Sequence, residues 1–284
     1  MGNVIIIGGG PAGISTALYT VRANVDTTVF TQGGSALAKA EKIENYYGFP
    51  EGIGGEELYN RGIESAERLG VNVIEEEVIA VGYNGRFTVS TKEKSYESDA
   101  LVIANGAQRN VPKIKNIREF EGRGVSYCAV CDAFFYRDKD VCVIGNGEYA
   151  LHEAQTLKKV AKSVTILTDG KPAPQYDNCI THSIKSVEGS DTVERVVFEN
   201  GSELEVKGVF VALGVAGGID LARKLGAVIN GNYIAVDENM ATNIPGLYAV
   251  GDCRGGLLQV AKAVCDGAVA GIDIIKKIKN KTNG

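Results

Sequence analysis

The chain has 284 residues, 44% hydrophobic and 23% charged, which suits two compact domains and excludes a disordered or fibrous protein. A net charge of −5 argues against nucleic acid as a partner, and no apolar run reaches membrane-spanning length. With no export signal at the N-terminus, the six cysteines point to a reducing cytoplasm and to catalytic use rather than a disulfide scaffold.

Residues 3–7, Asn-Val-Ile-Ile-Ile, form the short apolar run that a buried parallel strand needs. Gly8-Gly9-Gly10-Pro11-Ala12-Gly13 follows at once, with Gly8, Gly10 and Gly13 on the three positions of G-x-G-x-x-G. A helix from about Pro11 carries Ile14, Ala17, Leu18 and Val21 on one face. Strand, glycine turn and helix in that order make a dinucleotide cradle. The glycines let the backbone approach a pyrophosphate, and the helix N-terminus meets its charge. The next strand, 27–30, runs into Thr31-Gln32-Gly33-Gly34, so neutral polar groups stand where such folds often hold a ribose with Asp or Glu. Residues 35–50 read as a loop, 55–69 as a helix and 71–74 as a strand. Alternation over 78–81, 86–91 and 95–97 predicts antiparallel strands turning at Asn84-Gly85, and 100–106 reads as a buried strand ending in a small-residue turn.

Residues 107–125 are polar, with Pro112 and several basic side chains, and read as a connection into a second unit. That unit opens on Cys128-Ala129-Val130-Cys131-Asp132. Two cysteines so spaced can close a small disulfide ring or open into a dithiol. A helix starting there favours a thiolate, and Asp132 stands where a carboxylate passes protons. A closed zinc site needs four ligands, whereas Cys142, Cys179, Cys253 and Cys265 are scattered singly and only His152 and His182 are present, so no metal is expected. Those four thiols read as buried small hydrophobes. A strand at 140–144 then enters Gly145-Asn146-Gly147-Glu148-Tyr149-Ala150, a helix continues to about 160 and a strand follows at 163–167, so the cradle occurs twice. Further strands are predicted at 193–198, 203–206 and 208–213. Residues 243–252 bring a strand ending in Gly251-Asp252, and a last helix spans about 258–279 with Val260, Ala261, Val264, Ala268, Ile272 and Ile275 at core spacing. The basic end, Lys276 to Lys281, reads as its solvated last turn. The fold class is α/β, with two Rossmann-like domains.

The order GGGPAG, IENYYGFP, the ANGA turn, CAVCD with FFYRDK after it, GxGxxA and LYAVGD resembles the low-molecular-weight thioredoxin reductases, class II pyridine nucleotide-disulfide oxidoreductases, over nearly the whole chain. The resemblance implies an FAD-binding domain made of 1–113 and 243–284, with a pyridine-nucleotide-type domain, 114–242, inserted into it. It implies that flavin passes two electrons to a Cys128–Cys131 disulfide, with Cys131 meeting the flavin, Cys128 attacking thioredoxin and Asp132 serving as the acid. By position, FAD would be held by Gly8, Gly10, Pro11, Ala12, Gly13, Gln32, Gly34, Leu37, Asn45, Val78, Ala104, Gly106, Gly251, Asp252, Leu258, Gln259 and Val260. Within that set Gly251 and Asp252 match the ribityl-binding turn, and Gln259 the residue near the isoalloxazine. The family works as homodimers and rotates its inserted domain about links that here fall near 110–116 and 241–245.

Several positions depart from the NADPH-dependent pattern. Those members follow the strand matching 163–167 with a His-Arg-Arg cluster for the 2′-phosphate, where this chain reads Thr168-Asp169-Gly170-Lys171-Pro172-Ala173-Pro174. Tyr149 stands where the family keeps a small residue, and a phenol there would crowd a pyrophosphate. The stretch between Leu167 and Val193 is shorter than the family's strand–helix–strand. Leu258 replaces an arginine beside the flavin, and Ser35-Ala36 replace Gly-Gln. These departures resemble the ferredoxin-dependent flavin thioredoxin reductases, which implies ferredoxin as electron donor, with Lys39, Lys42, Arg109, Lys113, Lys115 and Arg118 as candidates for a basic docking rim. Two other readings stand beside this one. Asp169, roughly 20 residues past the second glycine turn, suits the ribose of NAD in an NADH-dependent reductase. A non-catalytic FAD-binding sensor is the third, and the intact CAVCD speaks against it.

Overall fold

A computed structural model of the protein describes residues 2–33, 36–106, 112–214 and 217–283. Gly34, Ser35 and Arg109, named above, lie outside the described residues, as do residues 110 and 111 of the first expected link. The chain divides into two compact units, residues 1–108 with 217–284, and residues 109–216. Among the described residues no helix is long and apolar enough to cross a membrane.

The first unit is built on a parallel sheet. β1 (Asn3–Ile7) pairs on one side with β2 (Asp26–Thr31), and β2 with β3 (Asn72–Glu75). Strands β4 (Ala80–Tyr83), β5 (Phe87–Ser90) and β6 (Ser95–Ser98) form an antiparallel sheet of their own. β7 (Ala100–Ile103) returns to the other side of β1, and β18 (Leu247–Ala249) pairs beyond it, giving the order β18-β7-β1-β2-β3. The central strands read as unbroken apolar runs because both faces are covered, and Ile6, Leu101, Val102 and Ile103 are fully buried. Helix α1 (Pro11–Arg22) and the last helix, α6 (Val260–Asn283), pack against each other, and Ser15 Oγ donates to the Val264 carbonyl at 2.7 Å. The core they share with the sheet includes Val4, Ile6, Ala17, Val102, Ala270 and Ile274. Helix α2 (Gly55–Arg68) lies beside α1.

The second unit repeats the plan. Parallel strands β8 (Val125–Ser126), β9 (Asp140–Ile144), β10 (Ser163–Leu167), β11 (Cys179–Ile180) and β15 (Gly208–Val211) run in the order β11-β10-β9-β15-β8. An antiparallel sheet of β12 (Ile184–Gly189), β13 (Val193–Phe198) and β14 (Glu203–Glu205) stands beside it. A four-residue helix, α3 (Ala129–Asp132), and the longer α4 (Glu148–Leu157) complete the unit.

Four expectations differ from what is seen. Residues 112–125 are more than a polar connection, because Ile114, Ile117, Phe120 and Val125 are buried in the second core. The chain re-enters the first unit at Gly217, ahead of the boundary expected at 243. Helix α5 (Gly218–Lys224) and a hairpin of β16 (Ile229–Asn230) and β17 (Tyr233–Ile234) lie before that boundary. Residues 241–245 are tied inside the first unit: Ala241 bridges Tyr248, and the Asn243 side chain accepts from Val228 N–H at 2.8 Å and donates to the Gly226 carbonyl at 3.1 Å. The first strand of the antiparallel meander begins at Ala80 rather than 78, which leaves buried Val78 in the loop after β3.

Candidate active site

Most residues expected to hold a cofactor stand just past the carboxyl ends of the first unit's parallel strands, where α/β sheets bind ligands. Gly8 follows β1, Gln32 follows β2, Val78 comes three residues after β3, Ala104 and Gly106 follow β7, and Gly251 and Asp252 follow β18. Close approaches draw four of them together. A Cβ on Gly8, whose φ is +117°, would meet the Ala104 carbonyl oxygen at 2.4 Å, and one on Gly251 would meet Ala12 Cβ at 2.9 Å. The turn between β1 and α1 fits a pyrophosphate. No side chain caps α1, whose first intrahelical bond runs from Ile14 N–H to the Gly10 carbonyl. A Cβ on Gly10 would meet nothing within 4 Å, which leaves the approach to the amides of Ala12 and Gly13 open.

From elsewhere in the chain, Asn45 and Gln259 meet, with Asn45 Nδ2 donating to Gln259 Oε1 at 2.9 Å. Leu258 is half exposed, and both it and Gln259 precede α6, which starts at Val260. Leu37 lies in a single 3-10 turn against α2, where a Cβ on Gly55 would strike its carbonyl.

One network at this edge escaped the sequence reading. Buried Asp266 of α6 accepts from Gly251 N–H at 3.1 Å and pairs with Arg254 at 2.7 Å and Lys262 at 2.8 Å. Lys262 Nζ also donates to the carbonyls of Gly251 and Gly255. The Gly-Asp turn is thereby locked to α6. Burial pushes the Asp266 carboxyl up, but the hydrogen bonds and charges of Arg254 and Lys262 outweigh it and hold the group below the usual carboxylate range. An i,i+4 Lys262–Asp266 pair was the available signal.

In the second unit, Cys128 and Cys131 form a disulfide. Cys128 is the extended residue that caps α3, its sulfur accepting from Cys131 N–H at 3.2 Å. Ser126 Oγ accepts from Cys128 N–H at 3.1 Å and donates to Asp132 Oδ2 at 2.7 Å, so one hydroxyl links the backbone of one cysteine to the acid beside the other. Cys128 is buried, at 3% exposure, and Cys131 is exposed. Burial, then the Asp132 charge, raises the nearby Tyr136 phenol above its ordinary range. Around the pair, Val130, Phe134 and Phe135 are 56%, 73% and 67% exposed. That apolar surface was not read as one from the sequence, because apolar side chains ordinarily signal core.

The second glycine turn is used inside the fold. Tyr149 does not stand free over the turn. Its ring is buried, and its hydroxyl donates to the Tyr127 carbonyl at 3.3 Å. Past β10, Thr168 Oγ1 donates to the Lys171 carbonyl at 2.6 Å, and Asp169, at φ +52°, accepts from Ile184 N–H at 2.7 Å. No helix lies between β10 and β11.

The other cysteines divide. Cys142 and Cys253 are fully buried, and burial raises both thiols, Cys253 to about 12. Cys179 is half-buried and Cys265 exposed, so the expectation of four buried thiols fails for these two. Among the described residues no cluster of three His, Cys, Asp or Glu side chains forms a metal site.

Two α/β units, a glycine cradle past the strand ends of a parallel sheet and a Cys-x-x-Cys disulfide define a flavin disulfide oxidoreductase. The family model for pyridine nucleotide-disulphide oxidoreductases matches residues 2–267. The chain is 33% identical to a thioredoxin reductase of Listeria innocua, covering 98% of this chain and 94% of the relative. Among solved structures it resembles the atypical thioredoxin reductase TRi from Desulfovibrio vulgaris Hildenborough, with a TM-score of 0.91, 38% identity and coverage of 98% and 99% of the two chains. A ferredoxin-flavin thioredoxin reductase from Clostridium acetobutylicum gives a TM-score of 0.72 at 31% identity, with 98% of each chain covered. The chain therefore belongs to the thioredoxin reductase branch of the pyridine nucleotide-disulphide oxidoreductases, a branch that uses FAD.

Proposed function

We propose that this thioredoxin reductase takes its electrons from reduced ferredoxin rather than from NADPH, and delivers them to thioredoxin through Cys128 and Cys131. The observation that carries the donor reading is the segment after β10. Where a 2′-phosphate site would need cations, residues 168–178 hold one lysine against two aspartates. They fold into a turn closed by Thr168 and Asp169. One oxygen of the Asp169 carboxylate, which an NADH-dependent reading would offer to a ribose, already accepts the Ile184 amide. Resemblance to a ferredoxin-flavin enzyme supports the same assignment.

The glycine turn, the Gly251-Asp252 turn and the Asn45–Gln259 pair would hold FAD, which would supply the electron pair needed to open the disulfide. Cys131, the exposed cysteine of the pair, would be the one that takes electrons from the cofactor. Cys128 then attacks the thioredoxin disulfide once its sulfur is uncovered, and Asp132, held by Ser126, moves the proton. Val130, Phe134 and Phe135 form the apolar floor on which thioredoxin docks. Of the basic residues proposed for ferredoxin, Lys39 on the first unit and Lys113, Lys115 and Arg118 on the second are exposed, whereas Lys42 is engaged by Glu44 at 2.9 Å. The working form is a cytoplasmic homodimer.

The test uses anaerobic cuvettes of yellow holoprotein with thioredoxin and either NADPH, NADH or reduced ferredoxin. Ferredoxin is expected to bleach the flavin and produce thiols in thioredoxin. Rapid bleaching by either pyridine nucleotide overturns the donor assignment. Bleaching by ferredoxin without new thiols overturns the reductase pathway through Cys128 and Cys131, as does thioredoxin reduction by Cys131→Ser.

A further inference from the structure

We infer that Glu153 is a positioning residue that lowers the reduction potential of the Cys128–Cys131 pair, by presenting its carboxylate to the first amide of the helix carrying both sulfurs. The inference rests on the reading of that pair as the redox disulfide.

Tyr149 and Glu153 are one helical turn apart on α4 and therefore share a face. Both side chains are only 1% exposed, and both reach the redox segment. The Tyr149 hydroxyl donates to the carbonyl before Cys128, and Glu153 Oε2 accepts from the amide after it, Ala129 N–H, at 2.7 Å in a buried environment. Cys128 is thus gripped on both sides by the helix that follows the second glycine turn.

An acid is an expensive way to hold a loop. A buried carboxylate loses its hydration, and a neutral amide side chain of the same length would accept the same bond. What the carboxylate adds is charge. Amides at the start of a helix favour a cysteine thiolate, and a neighbouring anion disfavours it. Glu153 occupies one of those amides and contributes negative charge beside the same segment. It therefore raises the free energy of any state in which Cys128 is a thiolate. The disulfide carries no such charge and is spared. The reduced pair becomes the less favoured partner, so it gives up its electrons more readily to a thioredoxin disulfide.

The experiment equilibrates the holoprotein anaerobically at pH 7 in buffers of reduced and oxidised dithiothreitol. As the Cys128–Cys131 bond opens to a Cys131 thiol and a Cys128 thiolate, the two thiols of one dithiothreitol give up two electrons and two protons, one proton going to Cys131 and the other to buffer, and close to the cyclic disulfide. Mass-tagging of Cys128 and Cys131 reads the position of equilibrium. E153Q keeps an acceptor without charge, and E153M keeps neither. The flavin absorbance band and the far-ultraviolet dichroism report folding for each, and one folded variant is sufficient. E153Q is expected to move the equilibrium three- to tenfold toward the dithiol, tenfold being about 30 mV, and E153M further. A folded neutral variant with the wild-type equilibrium, or one displaced toward the disulfide, overturns the role of Glu153. A wild-type pair that opens at no buffer ratio would instead overturn the redox reading beneath it.

Discussion

Gly10 and Gly13 sit three residues apart in the same turn, yet alanine at each should fail for different reasons. At Gly13 an added Cβ would lie 1.9 Å from the Gly8 carbonyl oxygen and 3.2 Å from Ile6 Cγ2. Backbone cannot rotate away as a side chain would, so G13A should cost about 3 kcal/mol, the upper part of the overpacking range. For a unit of this size that is a fall of roughly 6–12 °C in melting temperature, with or without FAD. At Gly10 the backbone is extended, with φ −75° and ψ −179°, which alanine adopts, and the Cβ would meet nothing. The loss of glycine at the helix cap should cost only about 0.5 kcal/mol, a degree or two in melting. The new methyl points instead into the approach to the α1 amides, so FAD affinity should fall about 10- to 100-fold, or roughly 1.4–2.7 kcal/mol. Calorimetry of the apoproteins and titration of FAD fluorescence quenching separate the two. G10A binding FAD as tightly as the wild type would remove this turn from the cofactor site. G13A melting with the wild type would refute the packing argument.

Asp266→Ala should destabilise the first unit by about 3 kcal/mol, the low end for breaking a buried pair, because it leaves the part-buried Lys262 and Arg254 without their acid; urea unfolding of the apoprotein measures it. Since the folded Asp266 carboxyl lies below its unfolded value, its stabilisation is complete above the ordinary carboxylate range near ~4 and fades as pH falls through the lowered folded value. An acid melt of Asp266→Asn should lack that part of the slope, and a slope identical to the wild type's would refute it. In oxidised native protein at neutral pH, a maleimide should label Cys265 quickly and leave Cys142 and Cys253 unlabelled, as peptide mapping will show. Replacing Phe134 and Phe135 by aspartate should lower kcat/KM for thioredoxin at least tenfold without slowing flavin reduction; unchanged kcat/KM would put the docking floor elsewhere.

The parallel strands and both glycine turns were legible because each is a local pattern: an apolar run, a fixed glycine spacing, then helical periodicity. The strand-end cluster followed from those patterns once the sheet order was known. What failed was local too, but masked. Ile114, Ile117 and Phe120 recur every three residues, yet the charged side chains between them made 112–125 read as linker. Helix α5 and the β16–β17 hairpin are too short for a periodicity to emerge. Direction was the other gap. Sequence put Tyr149 at the right turn but could not say that its ring goes inward to Tyr127, and it gave no reason to connect Glu153 with Ala129, 24 residues away. Nor does residue type separate Phe134, which faces water, from Phe120, which is core.

In the first unit β7 lies between β1 and β18, and β18 comes from the far side of the second unit. A ribosome releases β7 well over a hundred residues before it releases β18. Throughout that interval the second unit can complete its own core while β7, whose residues are all apolar, offers an unpaired backbone edge to solvent. Such an edge invites intermolecular strand pairing. Nascent-chain arrest between residues 217 and 247 should therefore yield the most chaperone-hungry species of the whole synthesis.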